Sequence, residues 1–526
     1  MSTGADLLVQ ALHAHGVRVI FGMPGSHTTS IYDAIQRHGD MRTILCRNEQ
    51  AGAFMADGYA RVTGWPGVVC TTAGPGATNA LTGIAEAYGD SVPVLLIAGQ
   101  VNHDKVGRET GSYHEIDLES IFRPCTIYTD TAECADDGPA MVSEAFTAMV
   151  SERRRAAALF FPQDLMARLT DEPLPEVVGD VAHRKLYQPN EVVALTAGML
   201  QHARRPIIMA GGGAVWSGAG KEIALLAERL NCPVITTLNG KGILDERNPF
   251  SLGHARSARA KDALPHADVM LAVGCRFTEV TTWFWKLLVP KQLIQIDIDP
   301  TVLGVGYPVQ RSILGDAKEV LAALLGLLPK QDSEWGEIWE RARYARPAHP
   351  EWFIDTLRAE LPENGVVITD ASEMALRMHT DWPAYAPRTF FYPSTYIALG
   401  WGYPAAIGAA VALPDRPVVC VAGDGGFVMT CQELATAARY QLNLIAIIHN
   451  DSAYGAIKNL QRKQHGERYV DVELNNPDFV KLAEAYGVPG VRVNGRDEFA
   501  QALRQALVRR GPSLIEVPDR WRSLRV

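Results

Sequence analysis

The sequence predicts three consecutive α/β domains built on mainly parallel sheets. Three observations lead there. Short apolar runs alternate with helix-length amphipathic segments along the whole chain, the pattern of strand–helix–strand units. The length of 526 residues corresponds to three or four domains. Two stretches interrupt the alternation: 171–190, rich in Pro, Asp and Glu, and 330–351, which mixes charge, Pro and Trp and holds at most a short helix. Division there leaves domains over 1–170, 190–329 and 351–526, each of ordinary size.

The elements follow in order. Thr3 and Asp6 fit a capping box ahead of the apolar face Leu7, Leu8, Ala11 and Leu12. Gly16 suits the helix stop, and 17–21 is the first strand. Apolar, β-branched runs between turn residues place further strands at 68–72 and 94–98 in the first block. The same pattern gives 206–210, 269–273 and 293–298 in the second, then 366–369, 418–422 and 444–449 in the third.

Composition removes several function classes. Hydrophobic residues make up 47% and charged residues 21%, the balance of a globular protein with several cores. The net charge of −9 is dispersed and no basic stripe exists, so no nucleic-acid partner is expected. Apolar runs such as 92–98 fall far below the roughly 20 residues that span a bilayer. The opening residues lack a basic stretch followed by an apolar one, so neither membrane nor export is expected. Eight scattered cysteines form no CxxC pair, which points to free thiols in a reducing, cytoplasmic compartment.

Chemistry concentrates in Gly423-Asp424-Gly425-Gly426-Phe427, directly after the strand 418–422, with the next helix expected near Cys431. A carboxylate at the C-terminal end of a parallel strand lies in the usual ligand crevice, and flanking glycines admit a phosphate close to the backbone. The next strand, 444–449, ends in Asn450-Asp451-Ser452, which brings a second carboxylate to the same edge. Two hard oxygen ligands beside such a loop imply Mg²⁺ bridged to a diphosphate.

This pattern resembles the thiamine diphosphate motif of the thiamine-dependent enzymes. RNEQ at 47–50 with ADGYAR at 56–61, TTAGPGATN at 71–79 and GYPAAIG at 402–408 resemble the acetolactate synthase and benzoylformate decarboxylase branch. The resemblance implies a pyrimidine-binding first domain, a middle domain and a diphosphate-binding third domain. It implies Glu49 as the carboxyl that holds the cofactor pyrimidine in its imino form. Leu399 would wedge beneath the bent cofactor, and the Ile397 and Leu399 main chains would meet the pyrimidine, although many relatives have Gly at the place of Ile397. Asp424, Asp451 and the Ala453 carbonyl match the metal ligands. Gly423, Ser372 and the Gly425–Gly426 amides would contact the diphosphate; for Ser372 a helix cap is an equal alternative.

Substrate residues are less explicit. Ser26 resembles the substrate serine of benzoylformate decarboxylase, but Thr72 and Thr281 stand where that enzyme has histidines. Val280 and Leu460 stand where acetolactate synthase has its substrate arginine and tryptophan, and Tyr113-His114 where it has Phe-Gln. His27 and His114 are the candidates for a substitute proton relay. FAD is left open: Arg276 with Asp297 and Asp299 resembles part of a flavin site, but Gly253-His254-Ala255-Arg256 does not match its glycine–histidine–glycine stretch.

The resemblance implies a thiamine diphosphate- and Mg²⁺-dependent C–C lyase or carboligase acting on a small 2-oxo acid. It implies a homodimer or homotetramer with sites between subunits. Alternatives are diketone cleavage or acyl transfer without decarboxylation, and a nucleotide-binding regulator without catalysis. Glu49 speaks against the regulator, which has no use for a tautomer-stabilising carboxyl.

Overall fold

A computed structural model describes residues 2–171, 190–347 and 351–518. Except for its end residues, the expected linker 171–190 lies outside the described residues, as do the last eight residues of the third block.

Each block carries a six-stranded, all-parallel sheet. The first sheet runs, edge to edge, Arg42–Leu45, Val19–Gly22, Gly67–Thr71, Val94–Gln100, Ala157–Pro162 and Tyr128–Thr131. The third runs Phe390–Phe391, Val366–Thr369, Val418–Gly423, Leu444–Asn450, Ser513–Pro518 and Gly490–Arg492. Counted along the chain, both have the order 2-1-3-4-6-5. The middle sheet, Ser251–His254, Val234–Thr236, Pro206–Ala210, Val269–Val273, Gln292–Asp297 and Arg311–Leu314, has the order 3-2-1-4-5-6. In such sheets ligands gather beyond the strand C-termini where the order reverses. Those points lie after Gly22 and Thr71, after Ala210 and Val273, and after Thr369 and Gly423.

The capping box of Thr3 and Asp6 opens the first helix, Gly4–Ala14, and Gly16 follows it at φ 83°. The first and third sheets share one hydrophobic core through the helices Glu49–Thr63 and Gly402–Ala412, with Phe54 and Met55 packed among Ala405, Ala406 and Ile407. Two glycines allow the contact. A methyl at Gly58 would stand 2.0 Å from the Ala405 carbonyl oxygen, and one at Gly408 would stand 1.9 Å from that of Met55. This crossing joins the helix that begins with Glu49 to the sheet that carries Asp424.

One expectation is corrected. The helix after Gly423 begins at once, as Asp424–Val428, rather than near Cys431, where a short 3₁₀ turn lies. The segment 330–351 contains the helix Gly336–Tyr344, and Trp335 is buried in the middle core with its Nε1 donating to the Pro206 carbonyl at 2.8 Å. This nine-residue helix is the short helix that the sequence allowed, anchored to the middle core by the buried indole. Among the described residues no helix is long and apolar enough to cross a membrane.

Candidate active site

The strand Val418–Gly423 lies between Val366–Thr369 and Leu444–Asn450, so Asp424 stands beside the ends of both neighbours, with Gly423 level with His449. Gly423 caps the helix Asp424–Val428, which directs the Gly425 and Gly426 amides out of the strand end. Both glycines are crowded: a methyl at Gly425 would meet the Tyr454 ring at 2.7 Å, and one at Gly426 the Asp370 carboxyl at 3.2 Å. Ser372 lies alongside Gly423, and its Oγ accepts the Ala375 amide at 3.2 Å, the capping role weighed above.

Asp424 is buried, which pushes its carboxyl above the ordinary value; the Asn476 amide and the Gly425 and Ser452 backbone N–H groups pull the other way. Asp451 follows the adjacent strand. Ala453 is buried, bridged to Glu473 in antiparallel fashion. Two carboxylates and a main-chain carbonyl are hard oxygen donors of the kind Mg²⁺ takes. Among the described residues no group of three or more His, Cys, Asp or Glu forms an all-protein cage. The donor set fits a cation that draws its remaining ligands from a diphosphate and water.

The segment carrying Ile397 and Leu399 is held from two domains. Asp370, wholly buried, accepts the amides of Ala371 at 2.6 Å, Gly400 at 3.2 Å and Gly402 at 3.0 Å. Burial pushes its carboxyl up to about 6 despite those bonds. From the first domain, Glu86 Oε2 accepts the Ala398 amide at 2.8 Å, and burial, with Asp90 nearby, pushes the Glu86 carboxyl up to about 9. Ile397 sits at φ 60°, a conformation costly for a β-branched residue, between these anchors. Leu399 is half exposed.

Glu49 is the first residue of its helix, with Asn48 Oδ1 accepting the Gln50 amide at 2.9 Å. Its buried carboxylate accepts Asn79 Nδ2 at 3.0 Å through Oε2, and Oε1 faces Gly76. The preceding strand end is tied to the third domain: Tyr440 OH accepts the Leu45 amide and Glu433 Oε1 the Arg47 amide, each at 2.9 Å. Burial pushes Glu433 up to about 7. No hydrogen bond or ion pair joins Glu49 to Asp424 within the chain.

The structure brings Ser26, His27 and His114 together. Ser26 Oγ bonds His27 Nδ1 at 3.2 Å and also the Tyr113 hydroxyl. The His27 and His114 rings stack at 5.2 Å, and Tyr113 lies 3.9 Å from His114. Burial, and then His114, hold His27 below its ordinary value. His114 Nδ1 is buried with no hydrogen-bond partner among the described residues. Thr72 links this cluster to Glu49: its Oγ1 reaches His27 Nδ1 at 3.4 Å, and a methyl on Gly76 would lie 2.7 Å from Thr72 and 3.3 Å from Glu49. Thr281 is buried in the middle domain, away from these contacts. Sequence reasoning assigned no role to Asn79, Glu86, Asp370, Glu433 or Asn476. For Tyr113 the adjacent His114 was the available signal.

At the reversal point of the middle sheet a cavity of about 430 Å³ faces the first domain, lined by Gly212, Gly213, Arg153, Arg154, Arg276 and Asp297 among others. Asp299 instead pairs with Arg153 at 3.2 Å and Arg155 at 3.4 Å. Cationic side chains, a glycine-rich turn and a buried carboxylate fit a dinucleotide.

Comparison with known proteins identifies the family. Three domain descriptions of the thiamine pyrophosphate (thiamine diphosphate) enzymes match: the N-terminal TPP binding domain over 2–121, the central domain over 193–324 and the C-terminal TPP binding domain over 370–517. The chain belongs to the thiamine pyrophosphate enzyme family. Its relatives include a probable acetolactate synthase large subunit of Methanocaldococcus jannaschii, 36% identical over 98% of this chain and 91% of the relative. A probable 2-ketoarginine decarboxylase of Pseudomonas aeruginosa is 35% identical over 98% and 94%. Acetolactate synthase isozyme 3 large subunit of Escherichia coli is 33% identical over 96% and 92%. Within the family this places the chain in the acetolactate synthase branch of thiamine diphosphate-dependent decarboxylases and carboligases.

Proposed function

We propose that the protein is a cytoplasmic, Mg²⁺-dependent 2-oxo acid decarboxylase or carboligase whose main product is not acetolactate. Thiamine diphosphate, when bound, supplies the electron sink for loss of CO₂. The chain supplies the rest. Asp424, Asp451 and the Ala453 carbonyl would hold the cation, while Gly423, Ser372 and the Gly425–Gly426 amides would receive the diphosphate. Ile397 and Leu399 would present backbone and an apolar wedge to the pyrimidine. Glu49 would hydrogen-bond the pyrimidine ring nitrogen and so favour the imino form. Ser26, His27 and His114 orient the substrate and move its protons; His27, held below its ordinary value, is a neutral acceptor at pH 7. The free thiols of all eight cysteines support a reducing compartment.

The observation that carries the reaction type is Val280 at the place of the acetolactate synthase arginine, with Leu460 at the place of its tryptophan. Val280 packs on the third domain's core and Leu460 stands exposed. An acceptor carboxylate without a cation forgoes a charged hydrogen bond of about 1.5–3 kcal/mol. The relative named as a 2-ketoarginine decarboxylase favours plain decarboxylation. Two copies complete each site, Glu49 of one facing Asp424 of the other. The apolar side chains exposed near each half, Tyr113 and Ile116 on one and Leu399, Met429, Ile457 and Leu460 on the other, support this assembly. The arginine-lined cavity supports a flavin nucleotide, and the visible spectrum of the purified, unfolded protein decides it.

The test feeds 2-oxo acids one at a time, then pyruvate with an aldehyde, and separates CO₂, acetolactate, aldehyde and hydroxyketone. Acetolactate from pyruvate alone should trail turnover of the natural substrate by roughly 10- to 100-fold, the equivalent of that missing bond. Rapid acetolactate synthesis from pyruvate alone overturns the assignment.

A further inference from the structure

Beside Asp424 lies a side chain that the sequence motifs do not include. Asn476 ends a short strap that rides on the segment assigned to the metal. The Tyr454 amide donates to the Val472 carbonyl and the Leu474 amide to the Ser452 carbonyl, each at 2.8 Å, flanking the bridge between Ala453 and Glu473. Leu474 also covers Gly425, where a methyl would stand 3.1 Å from its Cδ1. From this strap the Asn476 Nδ2 donates to Asp424 Oδ2 at 2.6 Å and to Asn450 Oδ1 at 3.1 Å.

The direction of these bonds is imposed by the neighbours. Asn450 gives its own Nδ2 to Glu516 Oε1 at 2.8 Å, so its oxygen is the atom that faces Asn476. Glu516 is in turn held by Arg492 Nε at 2.8 Å. Two oxygens, one of them a carboxylate's, thus converge on an N–H₂ group that carries partial positive charge. A metal-bound carboxylate still accepts hydrogen bonds from its surroundings, so this donor can hold Asp424 in place beside a divalent ion, and rotation of the same carboxamide would offer a hard oxygen without backbone movement. Mg²⁺ keeps water in its shell, and that water needs acceptors and orienting groups.

We propose that Asn476 is a further residue of the metal site: its N–H₂ fixes Asp424 and Asn450, its carboxamide can turn Oδ1 toward the ion or its bound water, and it holds the 472–476 strap over the Ala453 segment. This rests on the thiamine diphosphate–Mg²⁺ reading above.

The test is Mn²⁺ binding to the full chain with thiamine diphosphate and no substrate, followed by electron paramagnetic resonance of free Mn²⁺, together with melting of the metal-free protein. Asn476→Ala should weaken Mn²⁺ by about 10- to 100-fold, the usual effect of removing an outer-shell partner. Asn476→Asp should bind Mn²⁺ at least as tightly as wild type, while its metal-free form melts lower, because acceptor oxygens then face one another with no donor between them. Wild-type or tighter binding by Asn476→Ala overturns the proposal, since the amide would then be neutral or a mere plug. If Asn476→Ala fails to fold, Asn476→Asp decides: binding weaker than wild type overturns it. Asp424→Asn separates the two levels. If wild type takes up no Mn²⁺, or Asp424→Asn binds equally well, the cofactor reading itself fails.

Discussion

Replacing Glu49 with Gln changes one atom of a carboxyl group whose contacts within the chain are known. The carboxylate accepts one hydrogen bond, from Asn79 Nδ2 at 3.0 Å, and its other oxygen faces the open backbone of Gly76. Gln fits the same space and keeps a carbonyl oxygen for Asn79. The bond drops from charge-assisted to neutral, a loss of about 1 kcal/mol of stability. The catalytic loss is larger. An amide cannot exchange a proton with the pyrimidine nitrogen, and a lost acid–base contribution is about 10²–10⁴ in rate. At roughly 1.36 kcal/mol per decade this is about 3–5 kcal/mol, several times the stability change. The assay measures kcat at saturating thiamine diphosphate and Mg²⁺, with cofactor retention and melting temperature on the same preparation. Expected are retained cofactor, nearly unchanged melting and turnover reduced at least a hundredfold. Wild-type turnover with cofactor bound refutes the role of Glu49.

Three other outcomes follow from the same geometry. Asp424→Ala should abolish cofactor retention in gel filtration, whereas Asp451→Asn, which keeps an oxygen donor, should be milder; equal losses would refute the ligand assignment. Glu433, held up to about 7 by burial, binds its proton more tightly in the native state than unfolded. Its stabilising contribution is therefore full below about 4.5 and is lost as pH rises through 7. Urea melts should show wild type losing up to about 3 kcal/mol relative to Glu433→Gln across that window, and a constant difference would refute it. His27→Ala and His114→Ala should slow turnover about a hundredfold with cofactor affinity unchanged; equal weakening of cofactor binding would assign the stacked pair to structure rather than proton transfer.

The sequence by itself determined the sheets' centres and the cofactor edge. In every domain the three strands predicted from apolar runs are contiguous neighbours: Val19–Gly22, Gly67–Thr71 and Val94–Gln100 in the first, with matching trios in the other two. A strand covered on both faces reads as an unbroken apolar run. Edge strands such as Tyr128–Thr131, with the sequence YTDT, and the two-residue Phe390–Phe391 carry no such signal. Gly423 to Phe427 was legible because a phosphate crevice is built from consecutive residues at one strand end. Gly58 and Gly408 stood inside recognisable motifs, but only the crossing of their helices gives the reason for them.

Tertiary structure alone decided how the site is held. Glu433 reaches Arg47, Glu86 reaches Ala398 and Asn476 reaches Asp424, each across a separation that no local pattern spans. Hydrophobic period and turn chemistry act between residues close in the chain. A buried carboxylate finds its partners through sheet order and helix packing, so those partners are chosen by the folded arrangement and leave no mark in the sequence around them.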